Sequence, residues 1–270
     1  MKELDDNEIR VIGAPSPQPS HGNWWVAVLV ILVAVIVLVL ALGKASHEES
    51  VAETQPSTEE TSPMASVETS ESLTVVDTII NDVPLTLYCP LDANASLQIG
   101  LPDAGDTALV LAVMAADVRA DNGGIVGDFV VNGRVLARGE RKEGYCAIAN
   151  GVPTFGRGGE EALERVQKEG GDFFRQYALV ADGEVLPLKP KGKNHRRALC
   201  RLGHQIFVAA SGDRESYHDF ATALADLGVK DAIALVGSES LLMYRAEGGL
   251  LHSVGTAMDS PNINFIVWRR

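Results

Sequence analysis

Asn132-Gly133 sits between two β-branched runs in "VVNGRVL" (Val130–Leu136), and that pairing is the strongest short-range signal for a β-hairpin. Both residues accept the positive φ that a two-residue type I′ turn demands, so the flanking strands are set antiparallel. "ALVADGEVLPL" repeats the pattern at Asp182-Gly183, and "LLMYRAEGGLLHSV" repeats it more loosely at Gly248-Gly249. Further strands are expected at Leu109–Ala115, Tyr145–Asn150, Gln205–Ala210 and Asn262–Arg270. Ala232–Val236 and Leu241–Tyr244 read as two more, joined by the turn "GSES", which is either a plain hairpin or the rim of a ligand site.

Two stretches carry helical periodicity instead. "SYHDFATALADLG" opens on Ser216 as N-cap with Asp219 three residues on, aligns Phe220, Leu224 and Leu227, and closes at Gly228. "GEEALERVQKEGG" places Leu163 and Val166 inward and ends at Gly170-Gly171. Hairpins mixed with helices predict an α+β (mixed α/β) domain, a hairpin-rich sheet with a few packed helices, over residues 73–270.

Upstream, Trp24 to Leu42 is nineteen consecutive apolar residues, followed shortly by Lys44. As a helix it spans about 28 Å, close to the roughly 30 Å of a bilayer's hydrocarbon core. The Trp24-Trp25 pair fits an interfacial anchor and Lys44 can snorkel at the other end. One N-terminal transmembrane helix is therefore expected over 24–44, with a short cytoplasmic head at 1–23. The alternative is a cleaved signal peptide, but the run is longer than an h-region and no good small-x-small site follows. The expectation is a single-pass membrane protein with its C-terminal domain extracytoplasmic. Residues 45–72 contain no Lys or Arg and almost no large apolar side chain, so they read as a solvated acidic Ser/Thr/Glu linker.

The net charge of −13 divides unevenly. Residues 1–118 hold three Lys/Arg against seventeen Asp/Glu, whereas 119–270 hold twenty against nineteen. No basic stripe with interleaved aromatics appears, which argues against a nucleic-acid partner. Cys89, Cys146 and Cys200 are scattered, with no CxxC and no His at ligand spacing, so no metal or cofactor is expected. Either one pair forms in an oxidising compartment or all three stay as buried thiols.

Three polar segments could carry chemistry. "KPKGKNHRRALCR" (Lys189–Arg201) sets Arg196 and Arg197 against an apolar stretch, so at least one guanidinium should lean over the interior, suited to bidentate recognition of phosphate or carboxylate. "ADNGGIVGDFVVNG" (Ala120–Gly133) offers Asn122, Gly123 and Gly124 for close backbone approach, with Asp128 and Phe129 after them. "GYCAIANGVPTFGRGGE" (Gly144–Glu160) reads as a glycine-rich loop following a strand. Each also has a plain reading as a solvated loop or turn.

Their order adds something. An Asn-Gly-Gly…Phe segment, a Gly-Tyr-x-Ala-Ile strand, "FFRQYALV", "RRALC", "HDFATALADLG" and a strand ending in a Gly/Ser loop follow one another between Ala108 and Arg270. This series resembles the phosphodiester glycosidase family. The resemblance implies a mixed α/β domain acting on a sugar-1-phosphate diester of a glycan. It places the family's Asn-Gly loop on Asn122-Gly123, its Arg-x-Ala-x-Gly arginine on Arg196, and its Asp-Gly-Gly-Gly-Ser loop on Val236-Gly237-Ser238-Glu239-Ser240. Here Val236 replaces the Asp, Ser238 and Glu239 replace glycines, and Cys200 replaces the glycine of the arginine motif. The expected substrate-binding residues are Asn122, Gly123, Arg196, Arg197, Gly237, Ser238 and Ser240. Asp128, His218 and Glu239 are the candidate acids and bases, since glycosidases commonly use two carboxylates. Hydrolysis of the sugar-1-phosphate diester is the leading function; a catalytically degenerate cell-surface glycan- or phosphate-binding module is the alternative, and a structural envelope protein without a small ligand is the third reading. Convergence of Asn122, Arg196 and the 237–240 loop would separate the first two from the third.

Overall fold

The computed structural model describes residues 66–270, apart from 71, 140, 141 and 189. Within them the turn chemistry is fully expressed. Asn132 and Gly133 adopt φ of 49° and 76° between β6 (Phe129–Val131) and β7 (Arg134–Ala137). Asp182 and Gly183 do the same, at 53° and 85°, between β11 (Ala178–Ala181) and β12 (Glu184–Val185). Gly248 and Gly249 turn β16 (Leu242–Arg245) into β17 (Leu251–Val254). Two further turns join β2 (Leu73–Ile80) to β3 (Val83–Pro90) through Asn81-Asp82, and β8 (Gly144–Ala149) to β9 (Val152–Arg157) through Asn150-Gly151. The latter hairpin occupies most of what the sequence suggests is an irregular loop after Tyr145–Asn150.

The strands assemble into three antiparallel sheets. The largest runs β1-β2-β3-β14-β13-β15-β11-β12, with β1 (Val67–Thr69), β13 (Asn194–Leu202), β14 (Gln205–Glu215) and β15 (Asp231–Leu235). The second runs β7-β6-β10-β8-β9, with β10 (Asp172–Gln176). The third runs β17-β16-β5-β18-β4, with β4 (Asn94–Ile99), β5 (Leu109–Met114) and β18 (Asn264–Arg269). β1 lies inside the segment expected to be linker, laid along β2 with Val67 opposite Val76.

The expected α+β class with a spanning helix gives way to a predominantly β architecture. Both predicted helices exist, α1 (Glu160–Glu169) and α2 (Tyr217–Asp226), but each has only ten residues. The sheets dominate because strand pairings far apart in sequence recruit most of the chain. The apolar run 24–42 lies outside the described residues, and among those described no helix is long and apolar enough to cross a membrane.

Alternation along the central strands distributes two cores. Ala198 and Cys200 of β13 face Phe220, Ala223 and Leu224 of α2, whereas Leu199 faces Ile233, Phe174 and Ile266 on the side of the other sheets. Full burial of a Phe or Leu side chain contributes roughly 1.5–3 kcal/mol, so α2 is held mainly by its apolar face. β5 is buried at all six positions and forms the middle of the third sheet.

The largest sheet contains one irregularity, at the start of β13. The β13–β14 ladder shifts between His195 and Arg197, pairing His195 with Arg214 but Arg197 with Ala210. Ser211, Gly212 and Asp213 thus stand opposite Arg196 alone.

Candidate functional site

The ends of four strands meet at one rim. Val236 N, just past β15, donates to Met114 O at the end of β5 (3.1 Å), and Ala234 N donates to Tyr177 O just past β10 (2.8 Å). Gln176 Nε2 donates to Ala115 O at 3.4 Å. Ser238 N donates to His195 O at the start of β13 (2.7 Å). The 236–240 segment is therefore no hairpin, because it carries the chain from the first sheet to the third.

That loop is built tightly against β13. A Cβ on Gly237 would stand 2.2 Å from His195 O, so only glycine fits, and Ser238 takes a left-handed φ of 56°. Ser240 Oγ donates to Val236 O at 2.7 Å. Arg197 Nη1 donates to Ser240 O (2.6 Å) and to Ser240 Oγ (2.8 Å), closing the loop on itself. Arg197 is 6 % exposed, and burial pulls its pKa down to about 10, which leaves it protonated at neutral pH.

Arg196 turns to the opposite face of the sheet. Its Nε donates to Glu215 O (2.8 Å), its Nη2 donates to Gly192 O (2.7 Å), and its guanidinium lies 3.8 Å over the Tyr217 ring. Tyr217, the first residue of α2, meets Tyr177 edge-on at 6.1 Å, and Lys142 Nζ sits 4.8 Å above the Tyr177 ring. Lys142 also donates to Gln176 Oε1 (2.9 Å) and pairs with the Asp117 carboxylate. The result is a continuous row, Lys142–Tyr177–Tyr217–Arg196, with two cations at its ends and two phenol rings between them. Cations over aromatic faces gain about 0.5–2 kcal/mol each, more as water is excluded. The Lys142 side chain is 8 % exposed while that of Asp117 is 41 % exposed, so the carboxylate is the solvent-facing partner of the pair. Burial raises the pKa of Tyr217, with Arg196 opposing the shift and Asp117 adding to it. Both charges thus act on the same phenol.

The remaining expected residues lie apart from this row, so Asn122, Arg196 and the 237–240 loop do not converge on one cleft, and the row stands as a candidate site of its own and not as the site the resemblance places. Asn122 Oδ1 accepts from Gly124 N (2.9 Å), shaping its own turn, and Gly123 takes φ of 68°. Gly123 O accepts from Asn262 Nδ2 at 2.7 Å. The other end of that β17–β18 connection reaches the 236–240 loop, where Thr256 N donates to Glu239 O at 2.7 Å. The two loops are therefore linked through residues 255–262. Asp128 is buried and accepts from Arg175 Nε at 2.9 Å in the second sheet, with Arg138 at 3.5 Å. His218 is exposed in the first turn of α2, and Glu239 is exposed on its loop. Sequence reasoning missed Asp117, Lys142, Gln176, Tyr177 and Tyr217. Gln176 and Tyr177 fall in "FFRQYALV", a segment of the resembling series, but the other three are marked only by their position at or near the ends of strands and helices.

No protein-family model matches the sequence, and no curated protein does. Solved structures do match. The zebrafish N-acetylglucosamine-1-phosphodiester alpha-N-acetylglucosaminidase catalytic domain, auto-inhibited by its pro-peptide, superposes with a TM-score of 0.54 at 14% identity, over 78% of this chain and 85% of that one. A hypothetical protein from Synechocystis gives a TM-score of 0.53 at 13% identity, over 77% of this chain. The match spans 64% of the Synechocystis protein's length. The likeness is one of fold. It supports a phosphodiester glycosidase-like fold and a distant structural relationship.

Proposed function

We propose that this chain is a phosphodiester glycosidase-like binding module, which takes up the sugar-1-phosphate diester of a glycan without hydrolysing it. The observation that carries the reading is the Lys142–Tyr177–Tyr217–Arg196 row. Cations at both ends suit an oxyanion, and partly exposed phenol rings suit the apolar face of a sugar. A guanidinium has five N–H donors, more than the carbonyls of Glu215 and Gly192 and the Tyr217 hydroxyl take up, so donors remain for a phosphate oxygen. Hydrolysis needs an acid and a base flanking the scissile bond. Of the candidates, Asp128 is committed to Arg175 in another sheet, and His218 and Glu239 stand on separate elements, one on α2 and one on the 236–240 loop; Val236 occupies the position where the resembling family has its Asp. The zebrafish enzyme's name specifies an N-acetylglucosamine-1-phosphodiester, which makes that sugar the first ligand to test.

The test is calorimetric titration of the full chain with N-acetylglucosamine 1-(methyl phosphate), together with an assay for released sugar. Arg196→Ala should weaken binding by about one to two powers of ten, the loss typical of a charge-assisted contact. Lys191→Ala, on the exposed loop before β13, should change little. Equal binding by wild type and Arg196→Ala would remove the phosphate site. Sugar release by wild type would replace the binding reading with hydrolysis.

A further inference from the structure

We propose that Asp117 sets the charge selectivity of this row, favouring a phosphodiester monoanion over a phosphomonoester dianion. The inference rests on the binding reading and goes one step beyond it, to which phosphate ester is admitted.

The row contains two cations, Lys142 and Arg196, and one anion, Asp117. Its other polar members are neutral, since Gln176 is an amide and Tyr177 and Tyr217 are phenols. Nearby Glu215 is itself offset by Lys193, 3.5 Å away. At the Lys142 end, Glu143 is paired with Arg157, while Glu160 and Asp128 are offset by Arg175 and Arg138, so these neighbours cancel and one net positive charge remains. A phosphodiester carries a single negative charge, whereas a phosphomonoester carries about −1.5 to −2 near pH 7. A diester is matched by the row, and a monoester exceeds it.

Placement strengthens the effect. The Asp117 carboxylate is the exposed partner of its pair and Lys142 the buried one, so a ligand approaching the ammonium meets Asp117 first. Its influence extends to Tyr217 as well, the ring on which Arg196 is stacked. The extra charge of a monoester would thus be held beside a fixed carboxylate in a partly desolvated rim, where like charges repel more strongly than in water. Asp117 acts as a selectivity residue, leaving phosphate binding itself to the cations.

The experiment compares N-acetylglucosamine 1-(methyl phosphate) with N-acetylglucosamine 1-phosphate, titrated into the full chain by calorimetry at pH 7.5. Wild type should prefer the diester by roughly five- to tenfold, the scale of one like-charge contact in a partly desolvated rim. Asp117→Asn keeps the shape and removes the charge, so it should bring the two affinities together or invert them. Should that variant fold poorly, Asp117→Ser carries the same comparison, because the ratio of two ligands on one protein does not depend on the folded fraction. An unchanged ratio in the variant overturns the inference and leaves the binding reading intact. Failure of wild type to bind either ester overturns both.

Discussion

The backbone N–H of Arg196 has no carbonyl opposite it in the ladder and donates instead to Ser211 Oγ at 2.8 Å, which in turn donates to Asp213 O at 2.7 Å. Ser211→Ala would leave that amide without an acceptor beside a buried strand. Urea unfolding should show a loss of about 1–3 kcal/mol, the usual cost of a stranded buried donor. Gly237→Ala tests the loop itself. Its Cβ would fall 2.2 Å from His195 O, and neither backbone can yield cheaply. The expected loss is about 2–3 kcal/mol, at the upper end for a single substitution, and the Arg197–Ser240 contacts should loosen with it. At this scale the sequence is half informative. A doubled arginine ahead of an apolar strand marks a place where guanidinium groups must be accommodated, and both Arg196 and Arg197 prove to be engaged. Asp128 looks like a free acid because its partner, Arg175, lies 47 residues away. Lys142 is equally illegible, for its buried surroundings come from Asp117, Gln176 and Tyr177, none of them adjacent to it in sequence.

α2 links local sequence to the row most directly. Ser216 Oγ accepts from Asp219 N at 3.0 Å and donates to Asp219 Oδ2 at 2.8 Å, so the cap read from the sequence is the cap that forms. Ser216→Ala should cost about 1 kcal/mol of stability. Because Tyr217 is the next residue, the same change should also lower affinity for the phosphodiester probe, whereas an exposed substitution in the last turn of α2 should not. Equal effects from the two would show that helix stability, and not ring placement, governs binding. Elements of this kind are legible because their signals are local: Asn-Gly and Asp-Gly at the hairpins, Ser-x-x-Asp at the cap. The strand after Asn150-Gly151 is passed over although its turn residues have the same chemistry, because "VPTFGR" contains both Pro and Gly. β15 and β16 belong to different sheets for a reason no local pattern carries, namely that their partners are β13 and β5.

For the molecule as a whole, cohesion between sheets rests on buried polar contacts as well as on apolar area. Asp172 accepts from Leu97 N of β4 and from Asn132 N of the β6–β7 turn, each at 2.7 Å, tying the third sheet to the second. Asp172→Ala would strand both donors. A loss on the order of 3 kcal/mol is expected, or about 6–12 °C in melting temperature for a domain of this size. Asp172→Asn should recover part of it, because one acceptor oxygen remains. Burial also raises the thiol pKa of Cys89 to about 12 and pushes Cys146 and Cys200 up as well. All three should resist alkylation at pH 8 until the domain is unfolded; rapid labelling of the native protein would contradict that. The balance of helix and sheet is the feature least visible in the sequence, since it follows from pairings such as β3 with β14, more than a hundred residues apart. The shift in the β13–β14 ladder has a consequence for heredity. Three residues of β14 span the place of one on β13, so a single-codon deletion among Ser211, Gly212 and Asp213 would shrink the bulge and break the relay from the Arg196 amide through Ser211 Oγ to Asp213 O. Descendants of this chain can exchange the exposed Asp213 side chain, since only its backbone carbonyl is used, far more freely than they can change Ser211 or the number of residues between Ala210 and Arg214.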